Sequence, residues 1–220
     1  KYVLVCHGYT SKAKHMAGFV NKFYSLGYNV LAADARAHGD SEGTKIGMGW
    51  PERFDVIEWI KLIISWDSNA QIILHGVSMG AATVLMASGE ELPENVKAII
   101  ADCGYTSEWD EFKCEANALH IPWFPVLNAA SVMSRLRDGY DFKQASALEK
   151  VKQSRIPTLF IHGSDDELVP YSMLDKLYSA AACEKECLTV NGAGHALSSS
   201  VEPELYWNTV ESFIDKYLEK

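Results

Sequence analysis

The 220 residues predict an α/β protein, a mostly parallel, doubly wound sheet in a single domain spanning residues 1–220. Apolar runs of strand length alternate with segments of helical length, the pattern of parallel strands joined by crossovers and covered on both faces. One run, Gln71-Ile72-Ile73-Leu74, passes through Gly76-Val77-Ser78-Met79-Gly80 into the small-residue stretch Ala81-Ala82-Thr83-Val84-Leu85-Met86, which reads as strand, sharp turn, helix. With 48% hydrophobic and 22% charged residues, the chain has the composition of one globular domain with a large core.

Strands are expected over residues 2–6, 28–33, 71–76, 96–102, 158–162 and 187–190. A helix follows Pro51, with Phe54, Ile57, Ile60 and Ile64 at helical spacing and the proline near the first turn, where its missing donor costs little. The turn at Ser78 needs small neighbours, because strand and helix approach too closely there for side chains, and Gly76 and Gly80 supply them. Residues 104–155 break the alternation: some fifty residues are too many for a plain crossover, so this segment is expected to form a helical lid. Its aromatic content, with Trp109, Phe112, Trp123 and Phe124, reads either as the lid's own core or as the wall of an apolar substrate pocket, in which Trp109, Trp123 and Phe124 are the candidates. A membrane-touching loop is a third reading. Gly104 and Gly139 stand as hinge or turn residues. The last helix places Tyr206, Val210, Phe213, Ile214 and Tyr217 on one face.

A net charge of -9 with no basic block argues against a nucleic-acid surface. No apolar run reaches the roughly 18 residues of a membrane span, and no signal-peptide layout stands at the start. Strand-like residues begin at once after Lys1, so the native chain is expected to continue upstream. A cytoplasmic setting is favoured, with an upstream signal or anchor left open. The five cysteines, Cys6, Cys103, Cys114, Cys183 and Cys187, are odd in number and lack metal-ligand spacing, so reduced thiols are expected; Cys183 and Cys187, four apart, have no histidine beside them to complete a metal clip.

A serine hydroxyl is a poor nucleophile unless a base, an orienting acid and oxyanion donors accompany it. His195 lies in the small-residue loop Asn191-Gly192-Ala193-Gly194-His195-Ala196, just past a strand, where reactive groups collect. The acid lies in the loop His162-Gly163-Ser164-Asp165-Asp166, again past a strand, with Asp165 and Asp166 both eligible; Asp102, at another strand end, reads as a structural carboxylate. His7, His75 and His162 each precede a glycine at a strand end and read as imidazoles bridging loop backbones. Ser78 itself has a plainer reading, as a cap of the helix opening at Met79.

Taken together in order, four motifs resemble the α/β-hydrolase superfamily over nearly the whole chain, in particular small bacterial serine esterases with a short lid, the serine-aminopeptidase-like and monoacylglycerol-lipase-like group. They are His7-Gly8-Tyr9, the loop from Asp34 through Arg36 and His38 to Gly43, the turn at Ser78, and His162-Gly163-x-x-Asp166-x-x-Val169-Pro170 with the His195 loop after it. The resemblance implies Ser78 as nucleophile, His195 as base, Asp166 rather than Asp165 as acid, and the backbone amides of Tyr9 and Met79 as the oxyanion hole. His38, with Asp34 and Arg36, resembles the family's loop-bracing set. The chain departs from the family in lacking the extra strands that usually precede the first one here, and an unpaired sheet edge is an aggregation hazard.

The expected activity is hydrolysis of a small-molecule carboxylic ester, acyl or aromatic, through an acyl-enzyme on Ser78, with no cofactor and no metal. An apolar lid with few clustered carboxylates fits such a substrate better than the charged terminus of a peptide. An aminopeptidase or thioesterase on the same three residues, and a noncatalytic ligand-binding protein of the same fold, are the alternatives.

Overall fold

A computed structural model describes residues 1–218. Among these, six strands form one sheet: β1 (Tyr2–Cys6), β2 (Asn29–Ala32), β3 (Ile72–Val77), β4 (Val96–Asp102), β5 (Thr158–Gly163) and β6 (Lys185–Val190). The order across the sheet is β2-β1-β3-β4-β5-β6, and all five pairings are parallel. Around it run α1 (Ala17–Ser25), α2 (Glu52–Trp66), α3 (Met79–Ala87), α4 (Glu108–Ala118), α5 (Trp123–Asp138), α6 (Ala147–Val151), α7 (Ser172–Ala180), α8 (Ser198–Val201) and α9 (Pro203–Ile214).

Side chains of a strand alternate between faces, and here the alternation divides the core in two. Leu4, Ile72, Leu74, Ile99 and Phe160 face the layer of α2, α3, α6 and α7. Val3, Val5, Ile73, Ile100 and Ile161 face α1 and α9, meeting Phe23, Tyr206, Val210 and Phe213. Every residue of β3 and β5 is buried, as central parallel strands covered on both sides require. Each aliphatic side chain so buried contributes on the order of 1.5–3 kcal/mol.

The strands fall where the apolar runs place them, within a residue or two. The largest difference is at β6, which starts at Lys185 instead of Cys187: this strand pairs on one side only, so its polar first residues, Lys185 and Glu186, satisfy the ladder without being apolar. β2, at the other edge, pairs only with β1. The final helix stops at Ile214, and Tyr217 lies beyond it, packed on the core with its hydroxyl donating to Glu184 Oε2 at 2.9 Å.

The long stretch between β4 and β5 holds three helices. α6 belongs to the body, since Ala147 and Val151 are buried in the core. α4 and α5 pack on each other. The two glycines of this stretch do different work: Gly104 is packed on Ala81, and Gly139, with open space beside it, is the left-handed residue that ends α5, the ordinary work of a helix-terminating glycine.

Candidate active site

In an open parallel sheet the crevice forms where strand order reverses, outside the carboxyl ends of the strands. Here the reversal lies between β1 and β3, so the loop after β1, with Gly8 and Tyr9, and the turn after β3, with Ser78, open toward each other. Ser78 holds φ 56° and ψ -119°, a conformation that a non-glycine residue adopts only under strain. The turn tolerates no side chain on either flank. A Cβ at Gly76 would collide with the Gly80 carbonyl, and one at Gly80 with the carbonyl of Cys6. The Ser78 amide donates to Asp102 O at 2.8 Å, which ties the turn to the end of β4.

The Ser78 side chain makes no capping bond to α3. Its Oγ stands 2.8 Å from His195 Nε2, and His195 Nδ1 stands 2.8 Å from Asp166 Oδ2. Because an ionised carboxylate only accepts, Nδ1 carries the ring proton and Nε2 is left to accept from the serine hydroxyl. The structure therefore brings Ser78, His195 and Asp166 into one relay. The histidine and acid loops are also bound to each other: Asp165 N donates to Ala193 O at 3.0 Å, Ser164 N to Val190 O at 3.0 Å, and Gly192 N to Ser164 Oγ at 2.8 Å.

Asp166 is 6% exposed. Burial by itself would raise its pKa, but hydrogen bonds with His162 and His195, the proximity of His195 and the amide of Val169 outweigh it and hold the carboxyl well below the usual carboxylate range. Its Oδ1 accepts from Leu168 N at 3.0 Å and Val169 N at 2.9 Å. The neighbouring Asp165 is exposed and takes the Ser164 hydroxyl at 2.6 Å. Asp102 is fully buried, and burial pushes its carboxyl up to about 6, against the pull of the Tyr206 hydroxyl.

The remaining strand-end histidines hold the frame. His7 Nε2 accepts from Ala35 N at 2.9 Å while Nδ1 donates to Gly8 O at 2.8 Å, and His38 likewise joins Thr10 N to Arg36 O. His162 Nε2 bonds Val169 O at 2.8 Å and lies 3.3 Å from Asp166 Oδ2. His75 differs from the backbone-bridging expectation: it is buried against Phe19 and Phe23, its Nε2 meets the side chain of Tyr206 at 3.1 Å, and burial lowers its pKa to about 3. Asp34 accepts from Ala13 N and Asp40 N, and Arg36 grips Asp55 through two bonds.

Ser78 opens into a cavity of 430 Å³ whose wall includes Tyr9, Met79, His195, Met48 and Tyr105. Trp109, Trp123 and Phe124 do not line it. Trp109 and Trp123 meet edge to face at 6.4 Å, Phe124 is 65% exposed, and Trp123 borders a separate apolar groove with Phe112 and Leu127. The face that α4 gives to the Ser78 cavity carries Glu111 and Glu115 instead. At 3.6 residues per turn, Glu111 and Glu115 share a side of the helix while Trp109 points about 200° away from Glu111. The expectation of a lid poor in clustered carboxylates fails at this spot. Sequence reasoning passed over the pair because glutamates on a helix read as a solvated face; their i, i+4 spacing was the available signal.

Among the described residues, Cys103 Sγ, Asp166 and His195 have donor atoms within 4.8 Å of one another. They make a poor metal site, because burial pushes the Cys103 thiol far up, keeping it protonated, and both other groups are engaged in the relay.

A doubly wound parallel sheet with a serine on a strained strand-to-helix turn defines a hydrolase of the α/β-hydrolase superfamily. The chain belongs to this superfamily, and within it residues 1–147 match the family described as serine aminopeptidase, S33. It is 30% identical over 215 residues to the uncharacterized protein YqkD of Bacillus subtilis, covering 97% of this chain and 70% of that one. It is 31% identical over 183 residues to the lysophosphatidylserine lipase ABHD12 of Macaca fascicularis, covering 82% of this chain and 45% of the lipase. Among solved structures, the Pyrococcus furiosus esterase Pf2001 superposes with a TM-score of 0.81 at 25% identity, covering 100% of this chain and 83% of the esterase.

Proposed function

We propose that the protein is a serine esterase that cleaves a carboxylic ester through an acyl-enzyme on Ser78. The observation that carries this reading is the relay from Asp166 through His195 to a strained Ser78, with 2.8 Å at each step, at the floor of a cavity. His195 Nε2 takes the hydroxyl proton as Oγ bonds to the carbonyl carbon; the same proton then passes to the alcohol oxygen as the ester bond breaks. Water, deprotonated by His195, attacks the acyl-enzyme and frees the acid. Asp166 fixes the imidazole tautomer and steadies the imidazolium. The oxyanion hole is assigned to the amides of Tyr9 and Met79, both in the cavity wall beside Ser78. The esterase and lipase named among the relatives support an ester as the substrate.

A fluorophosphonate probe is expected to label the wild-type protein at Ser78, and Ser78→Ala is expected to lose both the label and on the order of 10⁴-fold or more in turnover of p-nitrophenyl esters. Near-normal turnover by the variant would overturn the assignment. Absence of labelling in the wild type would favour a receptor with the same fold.

A further inference from the structure

Glu111 is 3% exposed, lines the Ser78 cavity, and has its Oε2 buried without a hydrogen-bonding partner. A carboxylate so placed is costly unless something answers it. Nothing among the described residues does: neither Glu111 nor Glu115 forms an ion pair there, and the acids that bear on Glu111, Glu115 and Asp166, make matters worse. The contrast with Asp166 is informative, because that equally buried carboxyl spends both oxygens on amides and imidazoles. An acid left unanswered inside a substrate cavity points to a partner that arrives with the substrate. The histidines of the wall do not fill the role: His195 is committed to Ser78 and Asp166, and His15 is exposed beside Ser11.

We propose that Glu111 and Glu115 form a cation subsite, selecting esters that carry a protonated amine or quaternary ammonium within reach of the scissile carbonyl. This rests on the serine esterase reading and names its substrate class. Without ligand Glu111 avoids the repulsion of its neighbours by holding its proton: burial, with Glu115 and Asp166 adding to it, pushes its carboxyl up to about 8. A bound primary ammonium donates to the free carboxyl oxygen of Glu111, a quaternary ammonium meets it by charge alone, and either restores the Glu111 charge as its proton leaves to water.

The test compares isosteric pairs. On the acyl side the pair is p-nitrophenyl 6-aminohexanoate against p-nitrophenyl heptanoate; on the alcohol side it is butyrylcholine against 3,3-dimethylbutyl butyrate. In at least one pair, kcat/KM is expected to favour the cation by about tenfold, the order of one charge-assisted hydrogen bond for the amine or one close charge contact for the choline, and the pair that responds tells which side carries the charge. The ratio is expected to fall toward one in the Glu111→Gln/Glu115→Gln double variant. Ratios at or below one in both wild-type pairs, or a ratio unmoved by the double substitution, would overturn the subsite. A binding measurement separates this failure from failure of the chemistry. Calorimetric titration of Ser78→Ala with hexylammonium and with 1-hexanol reads the subsite without turnover, and equal affinity for the two would refute it even if the esters are hydrolysed.

Discussion

Two adjacent aspartates, Asp165 and Asp166, show how far one residue's position decides its chemistry. Asp166 is buried, its Oδ1 is held by two backbone amides, and its Oδ2 meets His195; Asp165 is exposed and bonds only its neighbour's hydroxyl through its side chain. Asp166→Asn is expected to cut kcat/KM by about 10⁴-fold, because an amide at that place favours the wrong imidazole tautomer, whereas Asp165→Asn is expected to stay within about threefold of wild type, since exposed substitutions of this kind shift energies by about 0.5 kcal/mol or less. Steady-state assays on one p-nitrophenyl ester rank the two, and the reverse ranking would reassign the acid. Ser78, His195 and the acid loop were legible in the sequence because reactive loops are punctuated by glycine and small residues just past apolar runs. Glu111 and Glu115 were not, because their i, i+4 spacing marks one helix face without telling whether that face covers a cavity or meets water. The aromatic cluster of Trp109, Trp123 and Phe124 misled for the complementary reason: bulk and apolarity announce burial somewhere, not the site of that burial.

The strand-turn-helix unit from β3 to α3 works only if the backbones of β1, β3 and α3 nearly touch. Gly80→Ala is therefore expected to be destabilising by about 3 kcal/mol or more, since the new methyl meets the Cys6 carbonyl and backbone cannot move aside as a flexible side chain does. At this chain length that corresponds to a fall of roughly 6–12 °C in Tm. Gly18→Ala makes the matched control: Gly18 lies in α1 with open space where the Cβ would go, and the substitution should be neutral or stabilising by up to about 1 kcal/mol. Equal Tm values for the two variants in thermal unfolding would refute the close-approach account. The elbow was readable from the glycine spacing together with the apolar run before it and the small-residue helix after it. The ends of β6 and of α9 were not, because an edge strand accepts polar residues and a helix can stop while its apolar stripe continues into a packed turn.

At the scale of the whole molecule, alternation of apolar runs was enough to find six strands and a mostly parallel sheet, while the strand order and the partition of residues 104–155 between α4, α5 and a core-packed α6 needed tertiary contacts to see. Buried acids also set how the fold responds to pH. Glu108, 3% exposed, is pushed up to about 8 by burial first and by Glu52 and Asp138 next, with the phenols of Tyr105 and Tyr140 close by. The unfolded chain releases this proton near the ordinary glutamate value of about 4.3. Between there and about 8 the folded chain holds more protons than the unfolded one, so this residue makes stability fall as pH rises. Glu108→Gln should accordingly gain Tm over wild type at pH 8.5 and gain less at pH 5; thermal melts with equal differences at both values would remove Glu108 as the cause. The bonds that bind the loop of Asp166 to the loop of His195 have a different consequence. Asp166 and His195 ride on one plate formed by the ends of β5 and β6, so their mutual distance is insulated from disturbances elsewhere in the molecule.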